Sequence, residues 1–366
     1  MMEMVREEKE GRLHGRLQSG TRPEREGSGQ AGRVAAPEDA EPSAGVMEYR
    51  TGNVGAKTSE QTRVSSFRQL LLAHRNADGG WGFQAGGPSA VEATAWALLA
   101  LRSARAVPEE ANTMACQWLM ETQLADGSWP AFAGQPEGCW VTSLACQALH
   151  LEDGAQEALA RGLAWLLDSW PAEGTWWWRV RQSVFPAGVS GQDPSQRGWG
   201  WTARTANWVE PTAYALLLLK ALPPEMLSAR AGKRRVMAEG MLLGRMCPGG
   251  GWNSGNPRIY GVAGVPRVGP TAWALLALQD HPERAEIQMS CAWLERAYGT
   301  IRGAASLALA HSCLAVYGRR LPPLAPVLRH LYQRNRFLEN VLTTAWAVLA
   351  LSGEDAAPGA GEAATR

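Results

Sequence analysis

The sequence predicts an all-α fold, an (α/α)6 toroid of six helical hairpins with an inner and an outer helix layer. Three observations carry this. One apolar phrase recurs along the chain: Thr94 followed by AWALLAL, Thr212 by AYALLLL, Thr271 by AWALLAL and Thr344 by AWAVLAL, with a looser copy at Thr142, SLACQAL. A Gly-rich turn closed by Trp precedes the copies. The distance from that Trp to the Thr also repeats, being 13 residues for Trp81–Thr94, Trp129–Thr142 and Trp199–Thr212.

Each apolar phrase is rich in Ala and Leu and has no internal Gly or Pro, so it forms helix readily. Each is apolar nearly all round, which marks a buried helix. Ala304–Val316, AASLALAHSCLAV, fills the long gap between Thr271 and Thr344 and makes a sixth. The inner helices are expected near 92–102, 141–150, 211–221, 270–279, 304–316 and 341–351. An amphipathic helix precedes each: Phe67–Arg75, Glu109–Gln123, Gln156–Ser169, Arg230–Met246, Arg284–Tyr298 and Ala325–Arg336. These are the outer layer. Turns DGGW (78–81), DGSW (126–129), EGTW (173–176) and GGGW (249–252) follow most of them, with Gly expected to end the helix in the left-handed conformation. The last inner helix is as apolar as the first, which favours a closed ring over an open solenoid with polar caps.

Composition bounds the domain and its chemistry. Of 366 residues, 45% are hydrophobic and 19% charged, below the roughly 25% of an ordinary globular domain. Trp is unusually frequent, 17 against 5 Phe and 6 Tyr. Residues 1–60 hold 20 charged residues and a single aromatic, Tyr49. Such a segment buries too little apolar surface to offset its ordering entropy, so 1–60 is expected to be a disordered extension, 61–352 the folded toroid and 353–366 a disordered tail. A net charge of +1 leaves no basic footprint for nucleic acid. The six Cys are scattered without a C-x-x-C pair and read as reduced and buried, as in a cytoplasmic chain. No apolar run is long enough to span a bilayer, which leaves peripheral membrane contact open.

The repeat resembles the QW-type motif of the triterpene cyclases: basic, small, aromatic, aliphatic, Gln, Gly, Trp at fixed spacing. Ala115, Trp118, Leu119, Gln123, Gly127 and Trp129 match it, as do Arg161, Gly162, Trp165, Leu166, Gly174 and Trp176, while Ala238, Leu242, Gly250 and Trp252 match in part. Over 61–352 the chain is similar to the toroidal domain of squalene–hopene-type cyclases and protein prenyltransferase β-subunits. The motif residues themselves suit a structural role at helix corners.

The resemblance implies where chemistry would sit. Class II cyclases protonate an alkene with an Asp two residues before the inner-helix Thr. Glu92 and Glu210 occupy that place here, without the flanking Asp residues, since Ala90, Ala93, Trp208 and Pro211 stand around them. An alkene-protonating acid must be neutral near pH 7, and burial raises a carboxyl pKa by up to about 3–5 units. The other role for either Glu is that of a carboxylate favoured by the helix macrodipole. Arg204, close before Glu210, would make Glu210 the ion and Glu92 the neutral acid.

Trp96, Tyr214, Trp273 and Trp346, two residues after each Thr, would line the bore and face a developing carbocation, or simply pack between helices. The segment 177–208 and the loop 252–269 bring Arg179, Arg204, Arg258 and Arg267 to the same rim. There they suit the anionic head of a prenyl amphiphile, or stand solvated. The Zn²⁺ site of the prenyltransferases has no counterpart: Thr94 and Thr212 stand where its Cys would be, and none of the six His is at an inner-helix start. No metal and no cofactor are expected. The leading reading is a class II terpene cyclase-like isomerase with a Glu acid and a prenyl or other apolar substrate. The alternative is a non-catalytic toroid that binds a prenyl chain, a lipid or a protein partner. Carboxylates in a dry bore favour the first and a bore plugged by Trp and Leu favours the second.

Overall fold

The computed structural model describes residues 67–172, 180, 197–259 and 261–356. The proposed disordered segment 1–60 lies outside them, as do Trp176, Trp177, Trp178 and Arg179. The described residues form twelve helices and one two-stranded hairpin. The outer helices are α1 (67–73), α3 (Glu109–Thr122), α5 (Gln156–Asp168), α7 (Ala229–Gly244), α9 (Ala285–Tyr298) and α11 (Leu324–Asn335). The inner helices are α2 (Val91–Ser103), α4 (Val141–Leu149), α6 (Val209–Ala221), α8 (Val268–Ala277), α10 (Ala304–Val316) and α12 (Val341–Ala356). The last of these runs to Ala356, past the boundary at 352 expected from the sequence, and residues 357–366 of the expected tail lie outside the described residues.

The six inner helices close a ring. Helix α2 packs on α4, α4 on α6, α6 on α8, α8 on α10, α10 on α12, and α12 returns to α2. Outer helices wedge between neighbouring inner ones, as α3 does against α2 and α4. This layering explains the composition: the inner helices are covered on all sides and so are apolar on all sides, while each outer helix keeps one wet face.

A fixed corner explains the spacing of 13. Thr94 Oγ1 accepts the Trp81 backbone N–H at 2.9 Å, and Thr142, Thr212 and Thr271 treat Trp129, Trp199 and Trp252 identically, each at 2.9 Å. Each indole N–H then donates to an outer-helix carbonyl: Trp81 to Leu71, Trp129 to Leu119, Trp199 to Leu166 and Trp252 to Leu242, at 2.6–2.9 Å. One Trp therefore ties the end of an outer helix to the start of the inner helix that follows. In the third unit this is Trp199, not the motif's Trp176. Gln123 of the motif donates to the Gly127 and Ala158 carbonyls and accepts from Arg161, joining two outer helices.

Contrary to the expectation from the sequence, the glycines of the described turns do not themselves end the outer helices. Helix α3 ends in an extended Gln123, and Gly127 (φ +88°) lies in the turn beyond, where a Cβ would stand 2.6 Å from the Arg161 carbonyl oxygen. It is required by close approach of the next outer helix as much as by its dihedral.

The sixth unit lacks a Gly–Trp turn. Arg336, Phe337, Leu338 and Glu339 all take φ of +50 to +56° instead, a conformation costing L-residues roughly 1–2 kcal/mol each. Phe337 is thereby buried against Phe67 and Tyr332, and the Glu339 carbonyl accepts the Ala85 N–H, joining the last unit to the first. All six Cys are buried free thiols. Among the described residues no helix is long and apolar enough to cross a membrane.

Candidate active site

The inner helices all start at the end of the ring that carries the corner loops. Glu92 and Glu210 are each the second residue of an inner helix, α2 and α6, two units apart. One turn further in, on the same helix faces, stand Trp96 and Tyr214. The site is thus a rim with two carboxylates above a level of rings.

That second level is closed. Trp96 lies 5.2 Å from Trp273, ring centre to ring centre, although α2 and α8 are on opposite sides of the ring. Tyr214 lies 4.7 Å from Trp273, and Trp346 is 6.1 Å from Trp96 and 6.0 Å from Trp273. Trp96, Tyr214 and Trp273 are each no more than 6% exposed. The four rings expected to line a bore therefore meet across its axis and fill it, and any open space on the loop side lies above them. Trp140 extends the cluster toward the loops, stacking on Tyr214 at 5.1 Å and meeting Trp201 edge-on at 5.1 Å.

The two carboxylates differ. Among the described residues neither a hydrogen bond nor an ion pair reaches Glu92, and burial pushes its pKa from 4.5 up to about 7. Glu210 is also raised by burial, but three effects oppose the rise: a hydrogen bond from Ser254, its own backbone N–H, and the charge of Arg267. Ser254 Oγ donates to Glu210 Oε1 at 2.8 Å, while Oε2 is buried without a partner. Burial also raises the Tyr214 phenol, and the charges of both Glu92 and Glu210 raise it further, so the two carboxylates converge on that residue.

The cation acting on Glu210 is Arg267, from the loop before α8, and not Arg204. Arg204 stands exposed in a turn at φ +61° and, despite its closeness in sequence, is not among the charges that act on Glu210. Arg258 and Arg267 are exposed, Arg258 in the hairpin formed by Arg258–Ile259 and Val262–Ala263. His150 and His311 are held by the Gln147 carbonyl and the Tyr298 hydroxyl. Among the described residues one carboxylate–histidine group, Glu239, Asp280 and His281, has metal-like proximity. Lys220 Nζ already bonds Glu239, at 2.8 Å, and Asp280 there. The group sits at the end of the ring away from the carboxylates.

Ser254 went unnoticed in the sequence, yet its place is a repeat position. It stands two residues after the corner Trp252, as Phe83, Ala131 and Trp201 do after Trp81, Trp129 and Trp199.

Comparison with known proteins bears on the fold and the family. Residues 51–138 match the squalene–hopene cyclase C-terminal domain family model. A drimenyl diphosphate synthase of Streptomyces showdoensis is 27% identical over 256 residues, covering 59% of this chain and 46% of that protein, so the chain spans about half the length of the curated relative it matches. A protein from Actinoplanes superposes at TM-score 0.53 with 16% identity, over 81% of this chain and all of that one. An endo-1,4-D-glucanase from Vibrio fischeri does so at 0.53 with 11% identity, over 80% and 95%. These two show the fold alone. The type II terpene cyclase MstE of Scytonema superposes at 0.37 with 17% identity, over 81% and 98%, a likeness too distant to argue from. Over residues 51–138 the chain is similar to the C-terminal domain of the squalene–hopene cyclases, and its repeats and closed helical ring agree with that likeness.

Proposed function

We propose that the chain handles an isoprenoid at the loop-side mouth of the ring and cyclises it by protonation from Glu92, without a metal. The supporting observation is the Glu92 carboxyl itself, half-buried, unpaired and with its pKa pushed to about 7. In the step envisaged, the Glu92 O–H bond breaks and its electron pair stays on the carboxylate. The alkene π pair forms the new C–H bond. A second alkene closes a ring onto the cation, and loss of a proton or addition of water quenches it. Trp140, Trp201 and the upper faces of Trp96 and Tyr214 offer ring faces to the cation, at about 0.5–2 kcal/mol each. Arg204, Arg258 and Arg267, all exposed, suit an anionic head group at the rim. Arg179 would join them but lies outside the described residues.

The filled level of Trp96, Tyr214, Trp273 and Trp346 favours a second reading, in which the toroid binds a prenyl chain or lipid without converting it. One experiment separates the two. The protein is incubated with C15 to C30 prenyl alcohols and diphosphates, binding is followed by tryptophan fluorescence, and products are sought by mass spectrometry. Cyclic products that vanish in Glu92→Gln while binding persists support the cyclase. Binding without conversion leaves the binding toroid, and neither leaves only the fold.

A further inference from the structure

Glu92 and Glu210 hold equivalent places, so the difference between them comes from what each unit's neighbour presents. At three seams of the ring the bonding is the same. The N–H three residues before the inner-helix Thr donates to the carbonyl two residues after the next unit's corner Trp: Val91 to Ala131 at 3.0 Å, Val209 to Ser254 at 3.0 Å, and, across the closing seam, Val341 to Phe83 at 2.9 Å. This bond places the side chain after the corner beside the next residue of the helix, which is Glu92, Glu210 or Leu342. At Glu210 that neighbour is Ser254, whose hydroxyl donates at 2.8 Å. At Glu92 it is Ala131, whose methyl has no proton to give.

We propose that the residue two after the corner Trp is a positioning residue that divides the two carboxylates, Ser254 orienting Glu210 and favouring its charged form, and Ala131 leaving Glu92 to carry the proton. The roles rest on the reading of Glu92 as proton donor; the positioning itself does not. The other groups fit the division. Among the described residues, Tyr214 and Cys139 feel the charge of Glu92, and neither is a cation. Tyr214 feels Glu210 as well, and Arg267 adds a positive charge there.

The test titrates both carboxylates in the full chain by ¹³C NMR of side-chain-labelled glutamate, with Glu92→Gln and Glu210→Gln assigning the resonances. Ser254→Ala should raise the Glu210 midpoint, and Ala131→Ser should lower that of Glu92, each by about one pH unit. Ser254→Thr keeps the hydroxyl and should keep the wild-type midpoint, which separates the hydrogen bond from packing. Midpoints unmoved by both Ser254→Ala and Ala131→Ser overturn the proposal, as does Ser254→Ala shifting Glu92 as much as Glu210. Product analysis of the same proteins is a separate arm. If wild type forms no cyclic product but the midpoints move as stated, the cyclase reading falls and the positioning stands. If wild type is active, Ala131→Ser should move the pH–rate profile to lower pH, and an unmoved profile overturns the assignment of the proton to Glu92.

Discussion

Glu92→Gln should stabilise the protein in mild alkali and not in acid. In the folded state burial holds the Glu92 pKa near 7, against 4.5 for the free side chain. Between those values the folded chain binds more protons than the unfolded one, so this group's contribution falls as pH rises from 4.5 to 7 and stays at its lowest above. At 1.36 kcal/mol per pKa unit the full penalty is about 3 kcal/mol. Water at the rim screens a half-buried group, which brings the expected gain to about 1–3 kcal/mol. Glutamine keeps the shape and removes the charge. Urea unfolding of wild type and variant, followed by tryptophan fluorescence, should show the variant more stable by that amount at pH 8 and equal within about 0.5 kcal/mol at pH 4.5. A variant no more stable than wild type at pH 8, or one with the same gain at both pH values, would refute the argument. Stability gained where activity is lost marks a residue kept for function.

Other outcomes follow from the corners and the ion cluster. Thr142→Val keeps volume but strands the buried Trp129 N–H, so calorimetry should show a loss of about 1–3 kcal/mol, largely restored by serine. Gly127→Ala forces a side chain into φ +88° and within 2.6 Å of the Arg161 carbonyl oxygen, and should lower the melting temperature more than Thr142→Val does. Purified protein should carry zinc well below one equivalent by elemental analysis, and chelation should leave its melting temperature unchanged, because Lys220 already neutralises Glu239 and Asp280.

Much of this architecture is written in local pattern. An Ala/Leu segment apolar on every face must be covered on every face, so the inner helices are legible one by one. The Thr that recurs 13 residues after a Trp records a single hydrogen-bonded corner, and it locates Glu92 and Glu210 at helix starts without any coordinates. The same spacing picks out Trp199 over the motif's Trp176. What the pattern lacks is any record of which side chains meet across units. Ring closure rests on α12 packing against α2, and the filled bore rests on Trp96 meeting Trp273 from the far side. Closeness in sequence suggested Arg204 as the cation beside Glu210, whereas Arg204 is solvent-exposed and Arg267, from a different unit, supplies the charge. Ser254 reaches Glu210 across 44 residues. Periodicity determines which face of a helix is buried, because that depends only on a residue's neighbours along the chain. The protonation of two equivalent carboxylates depends on charges and hydrogen-bond donors brought from other units, and only the closed ring brings them together.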